Sequence, residues 1–359
     1  MSLVFFIFAL MDVFALIIDF ALLIFSFWTM HFVSERYFIE SLDHISKKLR
    51  LSSDMAGSTL MAAGSSAPEL SVSLFAIFMS GHHEAIGVGT IVGSALFNIL
   101  VITGTVMFIR RTSHLIWQPI FRDIIFYILS IFLLGYIFFQ GELSLSGSAF
   151  LVGLYVLYVS VVYFWKRIFP YTDIENEPEK NEIVKLPAGN FISVSLKSFD
   201  RFVSPYQFAV FLVSIGLISL LSWLLVNSAV GISAALGVPE FLIGITIVAI
   251  GTSIPDLISS VIVARQGRPG MAINNAIGSN IFDILIGLGF PFLLYMLIHG
   301  RSFDLVSENL IFSVSILAGS ALLLMGYFLL TRWQSSRLFG IVLLLLYAAY
   351  LTYLIISSI

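Results

Sequence analysis

The sequence predicts an all-α membrane protein of ten transmembrane helices, arranged as two inverted five-helix repeats. Three observations predict it. The 359 residues are 59% hydrophobic and 11% charged, a balance that soluble domains do not show. A polar motif near residue 65 returns near residue 252. The basic residues fall on alternate loops.

A spanning helix needs ~20 mostly apolar residues. Ten stretches qualify, at about 10–33, 53–79, 85–108, 121–139, 145–165, 207–234, 239–264, 271–297, 308–329 and 338–357. The start, MSLVFFIFALMDVF, has no basic region before its apolar run. It is therefore assigned to the first helix rather than to a cleaved signal. Helices two and seven are expected to break at Gly64–Pro68 and Gly251–Pro255, because proline removes a backbone donor and clashes with the preceding turn. Carbonyls freed there must face protein, water or an ion, never lipid.

Lys and Arg placement orients the chain. Seventeen of the 18 basic residues lie on alternate loops, from Arg36 and Lys47 between helices one and two to Arg332 and Arg337 between nine and ten. Arg122 is counted with the loop between three and four, and only Arg301 lies on the other side. Positive residues favour the cytoplasm. Both termini are then outside, and the linker 167–205 is cytoplasmic. The linker separates a first half, 1–166, from a second, 206–359. A cell membrane, plasma or inner, is the expected location.

The repeat carries the chemistry. MAAGSSAPEL and GTIVGSALFN in the first half match AIGTSIPDLISS and AIGSNIFD in the second. Ser65 aligns with Thr252, Ser66 with Ser253, Glu69 with Asp256 and Ser73 with Ser260. After a two-residue deletion, Ser94 aligns with Ser279 and Asn98 with Asp283. Five helices separate the copies, an odd number, so the halves insert upside down relative to each other. Inverted repeats with broken helices and a midplane site mark secondary transporters. Ser66, Glu69 and Ser73 share one helix face, as do Ser253, Asp256 and Ser260. Ser94 and Asn98 are spaced i, i+4, and so are Ser279 and Asp283. The set is hydroxyls, one carboxamide and three carboxylates, all oxygen ligands suited to hard cations such as calcium. Carboxylates this close need a countercharge, and these helix cores contain no Lys or Arg. The countercharge must therefore be mobile: metal ions or protons.

Other features carry less. Cysteine is absent, which excludes disulfides and thiolate metal sites. Nothing in the pattern suggests nucleic-acid binding. The run DIENEPEKNE in the linker lacks calcium-loop spacing and reads as a solvated, disordered segment. The KKLR run with His44 reads as an amphipathic segment at the lipid surface. Gly57, Gly64, Gly87, Gly89, Gly93 and Gly278 are assigned to close packing rather than to ligation. Asp12 is placed at the interface; Asp19 is also set in apolar sequence, and an outer access path is the less favoured of its readings.

The motif residues resemble the two alpha repeats of the cation/calcium exchanger superfamily, and its potassium-dependent sodium/calcium exchanger branch most. That branch is similar in its Pro-Glu-Leu and Pro-Asp-Leu pairing and its Ser-Asn-Ile-Phe-Asp ending. The resemblance covers about eighty residues closely. It implies ten helices with a diamond-shaped centre of helices two, three, seven and eight that binds sodium and calcium alternately. It also implies Glu69 and Asp256 as principal calcium ligands. Ser66, Ser94, Ser253, Ser279 and the carbonyls of Ser65 and Thr252 would serve sodium, with Asn98 and Asp283 completing the ring. In that branch the acid matching Asp283 is linked to potassium, although some potassium-independent prokaryotic relatives also have an acid there. The chain departs from many eukaryotic members in having no large cytoplasmic regulatory region, so calcium-sensor regulation is not expected.

The leading expectation is a sodium-driven calcium antiporter, with or without potassium cotransport, and not an enzyme. Its partners are calcium, sodium and potassium ions and the lipid bilayer; no cofactor is expected. Proton/calcium exchange and a cation channel are the alternatives. An intramembrane aspartyl protease is disfavoured, because its Gly-x-Gly-Asp arrangement is missing.

Overall fold

A computed structural model describes residues 2–48, 62–81, 83–110, 115–170, 206–300, 302–304 and 308–358. A chain this apolar must satisfy its backbone internally, and helices do so within each segment. In chain order these are α1 (Ser2–Val33), α2 (Glu40–Lys48), α3 (Ala62–Ser65), α4 (Ala67–Phe78), α5 (Glu84–Leu96), α6 (Thr103–Ile109), α7 (Trp117–Phe139) and α8 (Leu145–Ile168). Then follow α9 (Gln207–Leu236), α10 (Glu240–Ile243), α11 (Ala249–Arg265), α12 (Pro269–Phe282), α13 (Gly289–His299), α14 (Glu308–Leu330) and α15 (Arg337–Ser358). π-Helical turns at Ser34–Ile39, Phe97–Ile102, Gly244–Val248 and Asp283–Leu288 join α1 to α2, α5 to α6, α10 to α11 and α12 to α13. Among the described residues nine helices are long and apolar enough to cross a membrane. The shorter α4 stands where the second span is expected, and the part of that stretch before Ala62 lies outside the described residues. So does the DIENEPEKNE run.

The two proline motifs behave differently. At the first, Ser66 leaves helical geometry (φ −90°, ψ 8°) between α3 and α4, with Pro68 in the first turn of α4. That break matches the expectation. At the second, α11 runs unbroken through Pro255, so the expected split of helix seven is corrected. Its irregularity lies upstream, in the π turn Gly244–Val248. A π turn absorbs the distortion while the backbone stays hydrogen-bonded.

Glycines set the closest helix approach. A Cβ built on Gly89 would lie 2.7 Å from the Phe241 carbonyl oxygen, and one on Gly244 would lie 2.6 Å from that of Ile86. A Cβ on Gly93 would lie 2.6 Å from the Ala249 Cβ and would collide with the Ile245 carbonyl oxygen. The α5 helix thus meets α10, its π turn and α11 backbone to backbone, as small residues permit within membranes. At the mirror position, the nearest atom among the described residues to a Cβ on Gly278 is the Ala62 Cβ, at 4.0 Å; the stretch that would mirror Ile245 lies outside them.

Packing crosses between the halves. Helix α5 rests on the turn after α10, α4 on α9, α7 on α12 and α14, α8 on α13, and α6 on α15. Strands β1 (Glu142–Leu143) and β2 (Phe303–Asp304) pair antiparallel, so a loop of each half joins the other. His83 and Glu240, at the starts of α5 and α10, are linked at 2.8 Å. The Arg110 guanidinium donates to the carbonyls of Ala264 (2.9 Å) and Arg265 (3.0 Å) at the end of α11, where a cation also suits the helix dipole. Asp19 of α1 packs against the bare backbone of Gly231 in α9.

Arg122 belongs to no loop: it lies within α7, fully buried. Its Nε donates to Asp123 Oδ1 (2.6 Å) and its Nη2 to Asp123 Oδ2 (3.1 Å), and the Tyr158 hydroxyl of α8 donates to the same Oδ1 (3.1 Å). Removing one partner of such a pair strands the other charge at about 3–5 kcal/mol. Asp123→Ala is therefore expected to destabilise the protein on that scale, read as a lower melting temperature in detergent. Tyr158→Phe, which removes one hydrogen bond to that carboxylate and no charge, should cost about 1.5–3 kcal/mol.

Candidate ion site

The predicted polar residues lie where α3, α4, α5, α11 and α12 face one another. Glu69, Ser66, Ser73, Ser94, Asn98, Thr252, Ser253, Asp256, Ser260, Ser279 and Asp283 are all buried, and Ser65 is half-buried. The break at Ser66 lets α4 begin beside the site, with Glu69 in its first turn. Asp283 opens the π turn after α12, and Asn98 lies at the mirror position in the turn after α5. Pro68 and Pro255 leave the carbonyls of Gly64 and Gly251 without their usual i+4 donors.

Asp283 is the hub. Its Oδ2 accepts from the Ser94 hydroxyl at 3.4 Å. Glu69 and Asp256 both lie within its electrostatic reach, and the Ser66 hydroxyl faces it without completing a hydrogen bond. Thr252 stands beside Glu69. Its hydroxyl proton goes to its own helix, at Val248 (3.2 Å) and Ala249 (3.3 Å), which leaves oxygen lone pairs available to a cation. The Ser65 hydroxyl meets that of Ser279 at 3.1 Å, joining the motif copies directly. All three carboxylates are thus neighbours.

Seven oxygens of these residues are buried without a hydrogen-bond partner among the described residues: those of Ser66, Ser73, Ser253 and Ser260, Glu69 Oε2, Asn98 Oδ1 and Asp283 Oδ1. Buried polar atoms are nearly always satisfied, and leaving one unsatisfied costs about 1–3 kcal/mol. Oxygen acceptors concentrated in one place, on helices whose one Lys or Arg is Arg265 in the last turn of α11, suit a hard cation. Ser73, Ser253 and Ser260 share helix faces with Glu69 and Asp256, and among the described residues their hydroxyls complete no hydrogen bond.

One residue absent from the sequence-level set belongs here. Asn98 Nδ2 donates to Asn280 Oδ1 (2.9 Å), and Asn280 Nδ2 donates to the Ala95 carbonyl (3.0 Å). Asn280 aligns with Ala95, so the two copies differ at that position. An amide facing an alanine across the repeat was the available signal.

An all-helical membrane fold with an oxygen-lined, acidic cage of mirrored motifs defines a cation transporter. The family model for sodium/calcium exchanger protein matches residues 18–164 and 206–356. The chain belongs to that family, which is one of transporters and not of enzymes. It is 27% identical to sodium/potassium/calcium exchanger 4 of Mus musculus, over 92% of this chain and 79% of that protein. It is 29% identical to sodium/potassium/calcium exchanger 5 of Homo sapiens, over 92% and 81%. Among solved structures, the fold is similar to the sodium-calcium exchanger NCX_Mj (TM-score 0.59, 24% identity, 94% of this chain and 98% of that one). It is also similar to the H+/Ca2+ exchanger CAX (TM-score 0.66, 16% identity, 95% and 86%).

Proposed function

We propose that this protein exchanges sodium for calcium across a membrane by alternating access, with potassium carried alongside calcium. The observation that carries the reading is the trio Glu69, Asp256 and Asp283, gathered in the buried interior with Arg265, at the far end of α11, the one Lys or Arg on their helices. Such a cage is held together by its cargo: it reorients only when filled, and this couples the two fluxes. Glu69 and Asp256 would hold calcium. Ser66, Ser94, Ser253, Ser279 and the carbonyls of Ser65 and Thr252 would hold sodium, and Asp283 with Asn98 would hold the further monovalent ion. Ser73 and Ser260 would support the carboxylates from one turn away. The linker 167–205 and the basic loops would face the cytoplasm, placing both termini outside.

Flux into proteoliposomes tests this. Calcium uptake is expected to require an outward sodium gradient and to rise when potassium is added on the calcium side. Uptake that ignores sodium but follows a pH gradient would assign proton/calcium exchange instead. Unitary currents without countertransport would assign a channel.

A further inference from the structure

Helix α7 lies outside the central helices, yet one of its polar atoms reaches them. Tyr127 is fully buried, and its hydroxyl has no hydrogen-bond partner among the described residues. Helix α7 packs along α12, and the polar groups beside that hydroxyl are Asn280 and Asp283. Tyr158 and Tyr350 are equally deep, but each has a partner: Asp123 at 3.1 Å and Ser313 at 2.9 Å. Ring packing alone would be served by phenylalanine, since an unpartnered buried hydroxyl costs about 1–3 kcal/mol.

The surroundings give that hydroxyl a task. Asn280 and Asp283 are spaced i, i+3 on one helix face. Asn280 also binds Asn98. Three residues near Asn280 therefore each carry a buried oxygen with no partner among the described residues: the Tyr127 hydroxyl, Asn98 Oδ1 and Asp283 Oδ1. They bring one carboxylate and two neutral oxygens. A single negative charge with neutral oxygen donors matches a monovalent cation better than a divalent one, which favours more carboxylate charge. We infer that Tyr127 is a specificity-determining residue of the ion site: its hydroxyl supplies, from outside the central helices, an oxygen that selects the monovalent cation held at Asp283. This rests on the exchange reading above for what the site does, though not for whether it binds.

Tyr127→Phe tests it on the full-length protein. The change removes one atom and no hydrogen bond, so the fold is expected to persist. Melting temperature in detergent is titrated separately with potassium, sodium and calcium chlorides, with choline chloride holding ionic strength. The wild type is expected to be stabilised by at least one monovalent cation. In Tyr127→Phe the half-saturating concentration of that cation should rise about tenfold, a loss near 1.4 kcal/mol, while that of calcium changes less than twofold. Tyr158→Phe, which removes a hydroxyl of equal depth elsewhere, should lower the melting temperature without moving either value. Monovalent binding unchanged in Tyr127→Phe overturns the inference, and so does an equal shift for calcium and the monovalent ion. If the selective shift appears but sodium does not drive calcium uptake by the wild type, the inference stands and the exchange reading falls.

Discussion

Glu69→Gln and Asp256→Asn are each expected to abolish calcium flux while leaving the protein folded. Both carboxylates are buried beside Asp283, so each substitution removes one charge from a crowded set of three and keeps the side-chain shape. Relief of like-charge crowding offsets the lost ligand when no ion is bound. The variants should therefore melt at or above the wild-type temperature in ion-free buffer. Calcium should change the outcome. A ligand present at 100 times its dissociation constant stabilises a protein by about 2.7 kcal/mol, and this gain should appear in the wild type and vanish in both variants. Loss of an outer partner of a metal ligand already costs about 10–100-fold in affinity; loss of a primary charge should exceed that range. Normal transport by either variant would remove that residue from the site. The same assays on Asp283→Asn should separate the ions, with monovalent dependence lost first.

Gly93→Ala is expected to be among the most damaging single-methyl changes at the described residues. The added carbon at Gly93 would meet the Ile245 carbonyl and the Ala249 methyl, which are backbone and a rigid stub with no rotamer to yield. Overpacking of this kind costs about 1–3 kcal/mol, read as a lower melting temperature. An unchanged melting temperature would mean that this seam is looser in solution than its backbone spacing indicates.

Much of this was legible in the sequence, for physical reasons. Long apolar runs favour helices in a bilayer, so helix positions followed within a few residues, apart from the start of the first helix and the second span, part of which lies outside the described residues. Carboxylates inside such runs are costly, and their duplication pointed to one shared site, which Asp283 with Glu69 and Asp256 now represents. The glycines of the first copy were rightly assigned to packing at Gly89 and Gly93. Other features were hidden because they depend on register or on tertiary neighbours. A π turn inserts a residue that 3.6-residue counting cannot anticipate, so faces computed beyond Phe97 or Asp283 drift. Pro255 resembles Pro68 in sequence, but its helix continues unbroken while the first copy breaks at Ser66. Arg122 counted as a loop charge because its neutralising partner is the adjacent Asp123, and a neighbour in sequence does not declare itself a partner in space. Tyr127 is unremarkable in its own segment and gains meaning only from the α12 face beside it.

The interleaving of the halves bears on how the chain is made. When only the first half has left the ribosome, Gly89 and Gly93 present a bare backbone groove whose filler is still untranslated. The same holds for the β1 edge and for the flank of α7 that will meet α12 and α14. Until synthesis ends, lipid or an insertion chaperone must cover those surfaces. The central linker thus marks a pause in the chain rather than a boundary between two self-sufficient bodies.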